Sequence, residues 1–463
     1  MKTLRALLFA LLAFETAAHA ANERPNIIFF LFDDLGWGQP QSYNPTSELR
    51  TPNLDKLATE GMRFTDAHSP SAVCTPTRYG VLTGRYPSRI GQFGVLGTAS
   101  RPIIPASRPT VASMLKQQGY ATACVGKWHL GMDWIDTAKP TIGSRMRNGP
   151  NALGFDYFCG YTHSGNIGTV IEQDQVIASV DEAANQPLIL RKAVEWLEKR
   201  DAKQPFFLYF PICPPHYPVA PAPEFIGKSG GVDVAGKGLK GPADPKRYPD
   251  WLFQGDAMLG EIVAALKRRS LTDNTLLIVS SDNGAEHRAY PPLRESKRSI
   301  YEGGHRVPFV VRWPGKVQPG TTWQHPVCLT DLLATVAEIT SAKLPPNAGE
   351  DSCSFLPALL GRNDGPTREA TIHQSMGGDL AIRQGPWKLI FRKNGSRELY
   401  HLETDLSETK DVIATNAEIA AKLTALMQRY IAEGRSTPGA AQKNDFELSL
   451  AAGTKTKPKK NKK

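Results

Sequence analysis

The stretch from Ile27 to Phe32 reads Ile-Ile-Phe-Phe-Leu-Phe, an unbroken apolar run that stops at Asp33-Asp34. A strand with one wet face would alternate; this one has no polar position, so it is expected to be buried on both faces. Such strands occur in parallel sheets covered by helices on both sides. Further apolar segments at 121–125, 205–212, 275–280 and 307–313 repeat the signal. Between them lie helical patterns at 109–118, 188–199, 251–269 and 329–339. Another is opened by Thr51-Pro52, with Thr51 as the expected cap, and closed by Gly61. Strands alternating with helices predict an α/β fold whose large, mainly parallel sheet is sandwiched by helices.

Near residue 365 the character changes. Short strands follow around Ala381 and Trp387–Phe391, then the turn Lys393-Asn394-Gly395 and Glu398-Leu399-Tyr400. This predicts a small antiparallel sheet with an Asn-Gly hairpin, packed by an amphipathic helix over 416–433. Residues 21–365 are therefore read as the main domain and 366–440 as a small C-terminal α+β subdomain. Residues 1–20 have a basic start at Lys2 and Arg5, a short apolar run and a small-x-small site at Ala18-His19-Ala20. That is the pattern of a cleavable signal peptide, too short to span a bilayer, and it predicts a secreted or periplasmic protein. Export permits disulfides among the six cysteines, at positions 74, 124, 159, 213, 328 and 353. Their spacing shows no zinc pattern and assigns no pairing. The formal charge of +10 overstates the body, because six lysines crowd the last nine residues. Residues 441–463 read as a basic, disordered tail; a role in holding anionic polysaccharide is an alternative. Neither a membrane span nor a nucleic-acid partner is expected.

Polar clusters fall where the strands end, which is where open α/β sheets bind ligands. Asp33 and Asp34 would repel unless a cation neutralised them, although read alone the pair equally suits helix capping. Asp282-Asn283-Gly284 ends another strand and alone would be a turn. Together the two form an all-oxygen set suited to Ca²⁺ or Mg²⁺ rather than zinc. The third cluster is Cys74-Thr75-Pro76-Thr77-Arg78, followed by Leu82-Thr83-Gly84-Arg85. Pro76 fits a first helical turn, placing Cys74 at or just before a helix N-terminus where anions bind, and Arg78 could clamp a tetrahedral oxyanion.

These residues resemble the signature of the type I sulfatases, members of the alkaline phosphatase superfamily. The resemblance continues in Gly119-Tyr120 through Gly126-Lys127-Trp128-His129, in Pro215-His216-Tyr217-Pro218, and in Glu302-Gly303-Gly304-His305-Arg306 with Lys297 upstream. It is strongest toward the arylsulfatase A and N-acetylgalactosamine-6-sulfatase type. The resemblance implies a sulfuric ester hydrolase in which a formylglycine-generating enzyme oxidises Cys74 to formylglycine. It assigns Asp33, Asp34, Asp282, Asn283 and residue 74 to one Ca²⁺, with Mg²⁺ the lesser candidate. Arg78, Lys127 and Lys297 would hold sulfate, and Ser164 would add a further contact. His129 would act as base in releasing sulfate, and His216, with Lys297, would face the leaving oxygen. The implied substrate is a sulfated carbohydrate or an aryl sulfate.

Two departures from the family pattern stand out. Gln39 follows Gly36-Trp37-Gly38 where an acid is common, and Arg294-Glu295-Ser296-Lys297 is poor in glycine. Both are expected to alter the rim of the site. Specificity is expected in loops 133–151, 227–248 and 285–294, with His287, Arg288 and the lysines of the second loop as contacts to anionic sugar. Two other readings remain: a phosphonate or phosphate ester hydrolase of the same superfamily, and a catalytically silent glycan-binding protein.

Overall fold

The computed structural model describes residues 24–135, 137–201, 203–230, 247–286, 289–362 and 368–450. The expected signal peptide, the boundary near 365, most of the 227–248 loop, His287, Arg288 and the lysine-rich end fall outside the described residues.

The strand that begins the fold, β1 (Asn26–Asp33), has every residue buried. Its side chains divide by parity. Ile27, Phe29 and Leu31 enter one core, while Ile28, Phe30 and Phe32 enter another on the opposite face. Burying each such side chain contributes about 1.5–3 kcal/mol, so the run stabilises two layers at once. The other strands of this sheet are β2 (Met62–Phe64), β3 (Ala121–Lys127), β4 (Tyr157–Tyr161), β5 (Thr169–Glu172), β6 (Gln175–Ser179), β7 (Phe206–Pro215), β8 (Thr275–Ser281), β9 (Phe309–Arg312) and β10 (Thr321–Trp323). Their order is β10-β2-β9-β8-β1-β7-β3-β4-β5-β6. The central five, β8 to β4, run parallel. Beyond them, β9 and β5 run antiparallel to their inner neighbours.

Helices α1 (Pro52–Glu60), α2 (Cys74–Thr83), α3 (Val111–Gln117), α4 (Glu182–Glu198), α5 (Tyr248–Arg268) and α6 (Leu332–Ile339) cover the two faces. Helices α2, α3 and α6 pack with the odd side chains of β1, and α1, α4 and α5 with the even ones. Thr51 does not cap α1. Its hydroxyl turns to Asp55, and Asp256 of α5 accepts from the free amides of Asn53 and Leu54 at 2.9 and 2.8 Å. A buried carboxylate from a packed helix satisfies these amides better than a short threonine. Thr110, by contrast, caps α3 in a reciprocal pair with Ser113.

The small sheet has four antiparallel strands, β11 (Thr371–Gln374), β12 (Leu380–Gln384), β13 (Trp387–Phe391) and β14 (Arg397–His401), packed by α7 (Ala417–Glu433). Gly395, at φ 92°, makes the expected turn between β13 and β14. Residues 441–450, grouped by sequence with the tail, instead lie against the main body. Both Asp445 and Phe446 donate to the Arg89 carbonyl, and the Asp445 carboxylate meets Arg85 at 2.7 Å. All six cysteines are free thiols.

A buried charge network joins the two sheets. Arg383 of β12 grips Asp66 with two bonds of 2.6 Å, and Lys388 of β13 donates to Glu302 at 3.0 Å. Arg306 reaches Asp66 and Glu302 at 2.9 and 2.8 Å. Three fully buried histidines sit among these charges. His68 and His305 face each other through their Nδ1 atoms at 3.1 Å, and the rings of His305 and His373 stack at 4.0 Å. Burial holds all three below the ordinary histidine value, with Lys388 also acting on His305 and His373. The unfolded chain binds these protons near pH 6.5, whereas the folded one resists them. Stability from this source is therefore complete above about pH 6.5 and is lost as pH falls below it. Urea midpoints should drop between pH 7 and pH 5 in the native chain, and by less in a His305→Phe variant.

Candidate active site

Four adjacent parallel strands deliver the polar clusters to one place. β8 leads directly into Asp282-Asn283, β1 ends at Asp33 beside Asp34, β7 leads into His216, and β3 ends at Lys127. β4, next to β3, leads to Ser164. β3 can lie close to β7 because Gly126 is at φ 126°; a Cβ there would sit 2.0 Å from the Pro211 carbonyl. On this end of the sheet α2 begins with Cys74 itself, so its free amides and the positive helix end face the same space.

The result is a pocket of about 300 Å³ lined by Cys74, Lys127, His129, Ser164, His216 and Lys297, with Val95, Leu96, His163, Arg298 and Met376 toward its walls. Below it the carboxylates and cations interlock. Lys127 donates to Asp33 at 2.5 Å, Ser164 to Asp33 at 3.1 Å, and Lys297 to Asp34 at 2.7 Å. Arg78 makes two bonds to Asp282, of 3.1 and 2.7 Å, and one to the Lys127 carbonyl at 2.9 Å. Asn283 donates to Asp34 at 2.7 Å. The catalytic, sulfate-binding and cation-binding residues implied by the resemblance all reach this pocket or its floor, whereas the expected sugar contacts His287 and Arg288 lie outside the described residues.

The donor set fits a hard cation. Ligand atoms of Asp33, Asp34, Cys74 and His216 all lie within 4.8 Å of one another. Asp33 Oδ1 and Asn283 Oδ1 are buried without a hydrogen-bond donor, an expensive arrangement that a bound cation would relieve. Burial pushes Asp34 and Asp282 up to about 7, helped by the carboxylates beside them. Burial also raises Asp33, but Lys127, His216 and Arg78 outweigh it and hold that group well below the usual carboxylate range. Oxygen ligands with this much crowded negative charge suit Ca²⁺ or Mg²⁺.

The two histidines are prepared differently. The Leu96 carbonyl lies 2.8 Å from His129 Nε2, which fixes the proton there and leaves Nδ1 bare and unpartnered. Burial, then Lys127 and Arg78, keep this ring well below the ordinary histidine value, so it stands as a neutral base. His216 gives its Nδ1 proton to the Tyr217 carbonyl at 2.7 Å, and its Nε2 faces Asp34 at 3.6 Å. His129 and Asp34 both hold left-handed backbones, at φ 57° and 70°. Strain of this kind persists where the surroundings over-determine a functional geometry.

A model of the family described as Sulfatase matches residues 25–342. The chain belongs to the sulfatase family. A second model, N-sulphoglucosamine sulphohydrolase, C-terminal, matches residues 286–435. This sulfatase is 31% identical to the N-acetylgalactosamine-6-O-sulfatase of Bacteroides thetaiotaomicron, over 88% of this chain and 93% of that one. It is 34% identical to human arylsulfatase A, over 85% of this chain and 79% of the relative. A solved structure from the glycosaminoglycan metabolism of B. thetaiotaomicron superposes with a TM-score of 0.77 at 29% identity, covering 88% of this chain and 99% of that one. The enzyme is thus a sulfuric ester hydrolase.

The structure corrects one expectation about the rim. Gln39 is fully buried. Its amide accepts from Gly36 at 2.6 Å and donates to the hydroxyls of Tyr248 and Tyr290, so it braces the loop after Asp34. Sequence reasoning also missed Glu286, which pairs with Lys297 at 2.7 Å, and His163, which stacks on His129 with centroids 5.6 Å apart. Glu286 lies three residues beyond Asn283 and inside the loop 285–294 expected to set specificity, but was not itself singled out. His163 adjoins Ser164 and carried no signal of its own.

Proposed function

We propose that this sulfatase releases inorganic sulfate from a sulfated carbohydrate, using formylglycine made from Cys74 and one Ca²⁺ held by Asp33, Asp34, Asp282, Asn283 and residue 74. The observation that carries this reading is the position of Cys74, first residue of α2, in one pocket with Lys127, His129, His216 and Lys297. The carbohydrate preference rests on the N-acetylgalactosamine-6-O-sulfatase relative. The bound cation would supply charge stabilisation to the sulfate oxygens. The hydrated aldehyde of formylglycine offers one hydroxyl to attack sulfur and a second whose deprotonation frees the product.

The chain's own groups divide the remaining work. Lys127, Lys297 and Arg78 present positive charge where negative charge grows as the S–O bond breaks. His129 Nδ1, the unpartnered atom, takes the proton from the second hydroxyl. The Lys297 ammonium faces the leaving oxygen and returns a proton to it; His216, whose Nδ1 proton is given to the Tyr217 carbonyl, offers a second donor at Nε2 when its ring is doubly protonated. In the reading, export through the N-terminal segment delivers the enzyme to the periplasm or outside the cell.

The direct test is the mass of the tryptic peptide spanning residues 64–78, from protein made in its native host. Formylglycine in place of Cys74 supports the reading; cysteine left unmodified beside an active converting enzyme defeats the mechanism. Removal of the cation has its own expected result. Chelation should lower sulfate release about a hundredfold and reduce the melting temperature, because Asp33, Asp34 and Asp282 then repel one another. Adding Ca²⁺ should restore both. Full activity and an unchanged melting curve after exhaustive chelation would rule out the metal.

A further inference from the structure

Lys297 is flanked by two non-glycine residues in the left-handed region, Glu295 at φ 61° and Arg298 at φ 78°. Glycine would occupy φ 78° without strain, yet this chain places an arginine there. The turn at Arg298 ties three segments together. Its amide donates to the Ala72 carbonyl, two residues before Cys74, at 2.8 Å, and its carbonyl accepts from Met376 at 3.1 Å. Its side chain lines the pocket, is half exposed, and touches Glu286 through one nitrogen at 2.5 Å. The pocket's other cations, Lys127 and Lys297, are engaged with Asp33 and Asp34. Of the three cationic side chains that line the pocket among the described residues, only that of Arg298 is exposed. Beside it the wall is apolar: Val95 and Met376 line the same pocket and are 45% and 39% exposed.

We propose that Arg298 is a specificity-determining residue that binds a second anionic group on the leaving sugar, either a carboxylate or a further sulfate, while Met376 and Val95 cover the apolar face of that sugar. This rests on the sulfatase reading above and narrows it to substrates carrying more than one negative charge. A guanidinium has five donors in a rigid fork, so Glu286 can hold one edge and leave another for a planar or tetrahedral oxyanion. The tether limits the rotamers that binding must freeze.

The test compares the native enzyme with Arg298→Gly and Arg298→Lys on two matched pairs. One pair is N-acetylgalactosamine 6-sulfate and the 4,6-disulfate. The other is 4-nitrophenyl sulfate and its 2-carboxy derivative. The glycine variant should melt no lower than the native enzyme, since it relieves the left-handed backbone. Its kcat/KM ratio of dianion to monoanion should fall about ten- to a hundredfold, mainly through KM, with the lysine variant recovering part of the loss. A drop confined to the disulfate pair would identify sulfate as the second anion, and one confined to the carboxylated pair would identify carboxylate. Equal slowing of both members of each pair, or an unchanged ratio, overturns the proposal. No sulfate release from any of the four compounds by native protein with Cys74 fully converted overturns instead the sulfatase reading beneath it.

Discussion

Replacing Cys74 by alanine should leave a folded protein that releases sulfate at least about 10⁴-fold more slowly, a loss of roughly 5 kcal/mol or more in transition-state stabilisation. The structural cost is small because the change removes one sulfur atom from a side chain that is 1% exposed and forms no disulfide. The chemical cost is large because the same position supplies the nucleophile and one ligand of the cation. Activity left by the remaining cations and histidines would be only what a preorganised pocket gives to attack by water. His129→Ala should cost less, about 10² to 10⁴, since it removes a proton acceptor and leaves the attacking group. The two variants thus differ in rank as well as size. Steady-state sulfate release, with circular dichroism as the folding control, measures both. Retention of more than a few per cent of native activity in Cys74→Ala would remove Cys74 from the mechanism.

That prediction draws on residues the sequence already grouped, and the reason is physical. A strand buried on both faces writes itself as an unbroken apolar run, and the residue that ends it must face the carboxyl edge of the sheet. Asp33 and Asp282 were legible because each follows such a run, whereas Lys127 was singled out only by the resemblance to the sulfatases. The short outer strands Met62–Phe64, Thr169–Glu172 and Thr321–Trp323 were not, since three or four residues carry too short a pattern and owe their pairing to neighbours. Tyr157–Tyr161 was also missed, although it lies in the parallel centre: Cys159 and Gly160 interrupt its apolar signal. The walls of the pocket were hidden for another reason. Val95, His163, Arg298 and Met376 come from four separate segments, and only the completed fold brings them to one mouth. Gln39 shows the opposite error, a residue adjacent in sequence to the site whose side chain turns into the core.

The charge network between the sheets is the extreme case, because few of its pairs are close in sequence: His68 with Asp66, and Arg306 and His305 with Glu302. Asp66→Ala should destabilise the protein by about 3–5 kcal/mol, a large share of the roughly 5–15 kcal/mol that holds a typical domain folded. Arg383 and Arg306, 7% and 5% exposed, would lose the carboxylate they share. Burial alone would raise Asp66, yet Arg306 and Arg383 hold it far below the usual carboxylate range, which measures how strongly the three are coupled. The loss is the cost of stranding cations in a dry interior, not the net worth of the pairs. Removing the partner as well should therefore recover part of it. Asp66→Ala with Arg383→Met should be more stable than Asp66→Ala alone, because the methionine packs against β13 without needing an anion. Urea unfolding of the two single variants and the double variant gives the coupling directly. A cost below about 1 kcal/mol for Asp66→Ala, or strict additivity with Arg383→Met, would show that solvent reaches these arginines and that the interface between the sheets is held by its apolar contacts alone.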